Sequence, residues 1–548
     1  MLGSSSGRQY VFGDTHSLTH EMAQHPKPIL DTSGSLHITT IDQAPSKASL
    51  AGGSFGYGRA LGVYSFGSGE TTGYGSLVAS STDGYRDNNG FDYLNTFNKL
   101  IFPLAGATAS LRLQIYKDKY GAPGYINKAF VQNGTYAATT AVNHTDGGTN
   151  DLQNIVFNYK QHGNEPISAN AYVLHSEADR FSSRTNTFIN SIQAEQTDKR
   201  VVVGGGVEKY FRRALDNGMD FDGFLGAGVH LHDVDSGRFN TTARVRTATV
   251  ENTQFKLINP FIYAQASLKP NAWLKLTGGV RYDHLDFDIT DHVRQKSVKT
   301  DLGAPQPKAG IVITPVKGLD LYANYGRGFR APSALSGTEL VADPKAPAAM
   351  LQTKEIGFDY TPVDGAWYLH ADAYRTDFTN ELQGNAPNPP ISLGPSVRSG
   401  YDLEARLRVY KNESGRLWIF ANYSKMTKAK LASGGVITDT ADDFFKYGFD
   451  LTLPLPGDSP HLVSFAASQV FEGPKALDTA ATLKTERFSR IDATFGYTNK
   501  NWHGLRGFLA FVIYPDKRLE GTAFLFSGQV GVSPKPKLTV TGGVSYTF

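Results

Sequence analysis

The sequence predicts an all-β protein, a transmembrane antiparallel β-barrel of about 22 strands with short periplasmic turns and long extracellular loops. Three observations carry that expectation. The chain ends in faultless two-residue alternation, with Leu538, Val540, Gly542, Val544, Tyr546 and Phe548 on one face and Thr539, Thr541, Gly543, Ser545 and Thr547 on the other. The same alternation recurs through most of the 548 residues in segments of roughly ten, the length a tilted membrane strand needs. The connections between these segments alternate between short and long, the asymmetry expected of outer-membrane barrels.

Composition narrows the alternatives. With 40% hydrophobic and 12% aromatic residues and only 19% charged, the chain is too aromatic for disorder despite a mean hydropathy of −0.31. The longest apolar run, Phe508 to Tyr514, is far short of the roughly 20 residues a spanning helix needs, so only a closed barrel could satisfy this backbone in a bilayer. Cysteine is absent, which excludes disulfides and thiolate metal sites. A net charge of +3 from 54 basic and 51 acidic residues gives no reason to expect nucleic acid. The N-terminus has no basic start followed by an apolar stretch, so no signal peptide is expected in the given sequence. No linker divides residues 46–548, read as one barrel domain; residues 1–45 read as a separate N-terminal remnant or disordered segment.

Taken in order, Ala109, Leu111, Leu113 and Ile115 oppose Ser110, Arg112, Gln114 and Tyr116. Leu274, Leu276, Val280 and Tyr282 oppose Lys275, Thr277, Arg281 and Asp283. Tyr401, Leu403, Ala405, Leu407 and Val409 oppose Asp402, Glu404, Arg406 and Arg408, a charged face that suits a wet lumen. Short turns are expected at Leu104 to Gly106, His162 to Glu165, Pro270 to Ala272, Lys317-Gly318, Val363 to Gly365 and Glu413 to Gly415. Long loops are expected at Lys117 to Asp151, Ala331 to Leu351, Glu381 to Ser396, Lys425 to Phe445, Glu472 to Glu486 and Pro515 to Lys537. Two segments alternate only partly, Phe221 to His232 and Phe524 to Val532, and both are assigned to loops. A closed wall leaves no strand edge that demands a neighbour, so a monomer is expected.

Several phrases resemble the barrel of TonB-dependent outer-membrane receptors: TDGYRDNNGF at Thr82 to Phe91, YGAPGYI at Tyr120 to Ile126, and LYANYGRGFRAPS at Leu321 to Ser333. The stretch Lys354 to Leu382, VIYPDKRLEG at Val512 to Gly521, and the terminal aromatic strand extend the likeness. The resemblance implies a bacterial outer-membrane receptor and transporter that imports a scarce ligand, most often a ferric siderophore, with energy from the TonB–ExbB–ExbD system. Family members carry an N-terminal plug with a TonB box. Here only Ser33 to Asp42 looks like the closing strand of a plug, so the receptor is expected to be incomplete and the TonB box absent.

Individual motifs carry less. His20 to His25, HEMAQH, spaces its histidines five apart where one helical face needs four, against a zinc protease. Gly326 to Arg330 lacks the completing glycine and helix of a nucleotide loop and reads as a strand rim. His230 and His232, followed by Asp233 and Asp235, read either as contacts to a ferric chelate or as a solvated turn; Asp233-x-Asp235-x-Gly237 lacks the downstream Glu of a calcium loop. Tyr116, Tyr120, Tyr125 and Tyr136, with Lys117, Lys119 and Lys128, suit an anionic aromatic chelate at the mouth, while girdle and loop-packing roles account for the same tyrosines without a ligand. The candidate ligand residues are therefore Tyr116, Tyr120, Tyr125, His230, His232 and Arg330; no enzyme, resident metal or cofactor is expected. The rival reading is a passive porin whose ion preference is set by Glu404, Arg406 and Arg408.

Overall fold

In a computed structural model, residues 8–12, 16–20, 37–183, 193–215, 219–332, 338–385, 388–412, 415–456, 460–502, 504–515, 519, 523–526 and 528–548 are described. Twenty-two antiparallel strands form a closed barrel, each paired with its sequence neighbours. The seam is closed by the last strand, Leu538–Thr547, against the first, Lys47–Gly53, from Thr541 opposite Gly53 to Thr547 opposite Lys47. Closure leaves no open ladder edge in the hydrocarbon, the condition for a sheet to span a bilayer. The first strand starts, and the last strand finishes, on the side of the short turns. Those turns use backbone that matches strand twist: Ala105 and Gly106 both have positive φ, as a two-residue hairpin connection requires.

The faces follow the alternation. Leu111, Leu113, Ile155, Val173, Val203, Leu231, Leu403 and Val544 are exposed on the outer wall, where lipid covers them, while Arg112, Asn154, Arg281 and Asp283 face inward.

Strand length departs from expectation. On one side the strands Gln193–Ala214, Asp220–Thr242, Val245–Asn271, Leu274–Asp291 and Lys296–Val316 run well beyond the hydrocarbon and form a tall wall. Above the membrane their polarity inverts. In Leu274–Asp291, Leu276, Val280 and Tyr282 point outward, but higher up Leu285, Phe287 and Ile289 point inward and are buried, leaving Asp286 and Asp288 outside. The inward residues join Val234, Phe255 and Leu257 in a core covered by Leu340 and Val341 of the short helix Thr338–Ala342.

This inversion corrects the assignment of Phe221 to His232 to a loop: the segment lies inside the strand Asp220–Thr242. Outward Leu225, Val229 and Leu231 give way to Asp233 and Asp235 as the strand leaves the lipid, and glycines at Gly226 and Gly228 interrupt the inner face, so the alternation is broken. Asp233-x-Asp235-x-Gly237 is likewise strand, with Asp233 3.9 Å from Lys256. Glu381 to Ser396 is also no irregular loop, since Trp367–Asn385 and Asn388–Lys411 pair up to Asn385 opposite Asn388. The connections at 54–56, 243–244 and 292–295 are tight although they lie on the extracellular side. Phe524 to Val532 is loop material as expected, a hairpin of Ala523–Phe526 and Gln529–Val532 outside the barrel. Of the HEMAQH motif only His20 is described, ending the strand His16–His20; Glu21 to His25 lie outside the described residues, as do Ser33 to Leu36 of the plug-like segment.

Candidate ligand site at the barrel mouth and lumen

The side of the mouth opposite the tall wall is roofed by loops. Ile126, Val142, Leu477, Ala523 and Val532, from three separate connections, share one apolar core, and Ile126–Asn127 adds a third strand to the Ala523–Val532 hairpin. Arg86 keys the loop 83–90 into this roof. It is almost fully buried, and its guanidinium donates to the carbonyls of Gly124 (2.6 Å), Pro123 (3.3 Å) and Thr140 (2.5 Å). Burial pulls its pKa down to about 10, still far above neutrality, so the cation persists. Asn88, at positive φ, donates to the carbonyls of Asn143 (3.1 Å) and Asp146 (2.7 Å). Neither residue was singled out from the sequence; a charged residue inside a Gly- and Asn-rich turn was the available signal, and it does not disclose its acceptors.

Tyr116 lies on a strand as expected, and Tyr120 is a strand residue too rather than part of the loop Lys117 to Asp151, because Ala107–Gly121 and Gly147–Gln161 pair up to Gly121 opposite Gly147. Both face the lumen beneath the roof. The Tyr116 hydroxyl donates to Asp118 (2.7 Å) and its ring lies 6.0 Å from that of Tyr93. Tyr120 crosses over Gly148, where a Cβ would meet the Asp179 carbonyl oxygen at 2.1 Å and the Tyr120 hydroxyl at 2.8 Å, so the backbone there admits only glycine. Tyr125 follows in the loop and is exposed. These three tyrosines share one sector of the mouth.

His230 and His232 stand elsewhere, on the inner face of the tall wall just below its polarity inversion. His230 Nδ1 is hydrogen-bonded to the Tyr172 hydroxyl, and its ring stacks on Phe261 at 4.8 Å. The Arg281 guanidinium covers the same Phe261 at 4.0 Å while pairing with Asp283 at 2.7 Å. Arg330 ends the strand Leu319–Arg330, opposite Ala349, and its charge acts on Glu381. The tyrosine pair on Ala107–Gly121, the histidine pair on Asp220–Thr242 and Arg330 on Leu319–Arg330 thus stand on separate strands and line three sectors of a wide mouth. Among the described residues no group of three or more His, Asp or Glu side chains suits a metal ion.

The inner wall is locally neutralised. Ion pairs between residues two apart on one strand recur at Arg281–Asp283, Asp198–Arg200 and Arg490–Asp492. His370 bridges Asp359 (3.0 Å) and Asp372 (2.8 Å). Arg406 and Arg408 turn back onto the ring of Trp418, at 4.4 and 5.8 Å.

With this geometry in view, comparison with known proteins is decisive for the family. The model of the TonB dependent receptor-like β-barrel matches residues 43–546. The chain belongs to the TonB-dependent receptor β-barrel family. Its fold is that of an outer-membrane transport receptor and not of an enzyme. Comparison with curated protein sequences returns no match. Among solved structures, the barrel is similar to the ferric citrate transporter FecA in its unliganded form, with TM-score 0.81 and 12% identity over 97% of this chain and 83% of that one. It is similar to the siderophore receptor PiuA from Acinetobacter baumannii, with TM-score 0.78 and 13% identity over 97% and 86%. BauA, the ferric preacinetobactin receptor of the same organism, follows at TM-score 0.76 and 13% identity over 97% and 85%. At such identities the likeness is one of fold.

Proposed function

We propose that this TonB-dependent receptor barrel takes up a scarce ligand across the bacterial outer membrane, a ferric siderophore or similar chelate, and that TonB–ExbB–ExbD supplies the energy. The observation that carries this reading is the roofed mouth: loops with their own apolar core, keyed by Arg86, stand over tyrosines that face the lumen. A general diffusion pore gains nothing from such a roof, whereas a receptor needs a vestibule of fixed shape. Iron would enter as cargo already wrapped by its chelator, so the wall needs aromatic faces and scattered charge rather than metal ligands. Tyr116, Tyr120 and Tyr125 supply the faces, and His230, His232 and Arg330 supply polar contacts across the lumen.

Binding of iron-loaded chelates to the purified barrel, followed with radioactive iron, tests the proposal alongside conductance in planar bilayers. Saturable binding by at least one chelate class and little open conductance are expected. Replacing Tyr120 by Ala should weaken binding by about 1 kcal/mol, roughly fivefold. A large, persistent conductance without saturable binding of any chelate would establish the passive pore instead.

A further inference from the structure

The outer surface of the barrel changes its charge from one side of the mouth to the other. On the tall wall, outward cations above the lipid are matched: Lys199 pairs with Glu177 at 2.7 Å, Lys299 with Asp288 at 3.0 Å and Lys256 with Asp233 at 3.9 Å. Asp235, opposite Lys199, and the register partners Asp286 and Asp301 add further carboxylates to the same face.

The strands Ala349–Tyr360, Trp367–Asn385, Asn388–Lys411 and Arg416–Leu431 reverse this balance. Lys354 is register partner to Arg375, Arg375 to Ser399 and Ser399 to Lys428, so three cations stand on one rung. Asp377, Val397 and Lys430 form the rung above. This face is the outer one, because Ile356, two residues below Lys354 on its strand, is 63% exposed to the lipid side. Arg375 donates to Asp377 at 2.7 Å, and the charges of Lys354 and Lys428 act on that same carboxylate. Lys354, Lys428 and Lys430 are exposed and form no ion pair among the described residues. Four cations thus share one carboxylate, with Lys354 and Arg375 directly opposed. Like charges so placed repel, and an anion from outside the chain would stabilise the rung.

Height selects the anion. Ile356 shares its rung with Ala373 and Tyr401, and Tyr423 stands opposite Leu403 one rung lower. The ring of Tyr423 lies 6.0 Å from that of Tyr401 and 6.2 Å from that of Phe445, an aromatic belt of the kind that marks a membrane interface. Cations just above such a belt stand at the level of lipid head groups, while Ile356 and Leu403 below them face acyl chains. A phosphate monoester brings more than one negative charge and three acceptor oxygens, enough to meet several cations together.

We propose that Lys354, Arg375, Lys428 and Lys430 form a head-group site for a phosphorylated lipid of the outer leaflet, a site that the tall wall lacks. The inference concerns the outer surface and is independent of what passes through the lumen.

Titration of the purified full chain in detergent with diphosphorylated lipid A, the bound lipid being counted by native mass spectrometry, tests this. Lys354→Gln combined with Lys428→Gln should weaken binding about tenfold, as the loss of two interfacial cations implies. Lys199→Gln combined with Lys299→Gln on the tall wall should change it less than about twofold, because those charges are already paired. Lipid A stripped of both phosphates should bind the parent as weakly as the intact lipid binds the first double variant. The heat-dependent shift in gel mobility reports whether each barrel has closed. If that double variant does not close, Lys354→Gln alone takes its place, with a loss of about threefold expected. Equal binding of the intact and stripped lipids would overturn the proposal, and so would equal losses in the two double variants. Full displacement of the lipid by millimolar inorganic phosphate would reveal a site for the free anion and would overturn it as well.

Discussion

The two halves of the mouth extend the same barrel above the membrane by opposite means. On the tall wall the backbone ladder simply continues, and side chains alone register the change of solvent. Lipid favours apolar residues outside, whereas above it water favours Asp286, Asp288 and Lys299 outside and apolar packing inside. On the roofed half the ladder stops near Gly121 and Gly147, and irregular chain takes over. Apart from the small sheet at Ile126–Asn127, its backbone groups have no continuous ladder, and side chains such as Arg86 and Asn88 satisfy part of them. One half is held by periodic structure and the other by a few specific donors, so single substitutions should act differently on the two.

The largest expected effect is in the tall wall core. Phe287→Ala removes a ring that is 1% exposed and should cost about 3–5 kcal/mol locally. Because the ladder is independent of that ring, the wall should keep its amide protection while the connection carrying Thr338–Ala342 loses its own. Hydrogen exchange resolved by peptide checks this, and loss of protection throughout Leu274–Asp291 would show that the core and not the ladder holds the wall.

Arg86→Met should come next, costing about 3 kcal/mol as three part-buried carbonyls lose a charged donor. Here the whole roof is expected to loosen together, with protease cleavage appearing in residues 122–146 while the barrel keeps its heat-dependent gel mobility. Cleavage no faster than in the parent would place the strength of the roof in its apolar core, Ile126, Val142 and Val532.

The contrast also explains what the sequence disclosed. The barrel was legible because lipid imposes a two-residue period on every strand, and the strand number followed from segment length. At Asp220–Thr242 the period persists but the apolar face changes sides, which reads as a fault in the pattern and places His230 and His232 in a loop segment rather than a strand. The candidate site was legible only as residue types. Tyr116 and Tyr120 share a strand face, but their distance from His230 and Arg330 depends on barrel closure, which local periodicity does not encode. Arg86 was missed for a related reason: its acceptors are main-chain carbonyls tens of residues away, and any residue type carries a carbonyl.

The smallest effect expected concerns acid, and it sharpens the comparison at the hairpin tips. Burial pushes the Glu381 carboxyl up, but hydrogen bonds from Arg398 and Ser396, with the charges of Arg398 and Arg330, outweigh it and hold the group below the ordinary range. Burial is likewise outweighed at Asp291 by donors from Arg294 and Val293. Carboxyls depressed in the folded state stabilise it fully above their unfolded values, about 4.3 for Glu and 3.9 for Asp, and the contribution fades as pH falls through the lowered values. Both tips should therefore exchange amides faster as pH drops below about 4, after correction for intrinsic exchange, while the roof stays unchanged because Arg86 remains charged throughout. Arg398→Met should abolish the acid dependence at the Glu381 tip and leave that at Asp291 intact. An equal acid response in the roof would mean that its carboxylates rather than Arg86 hold it down.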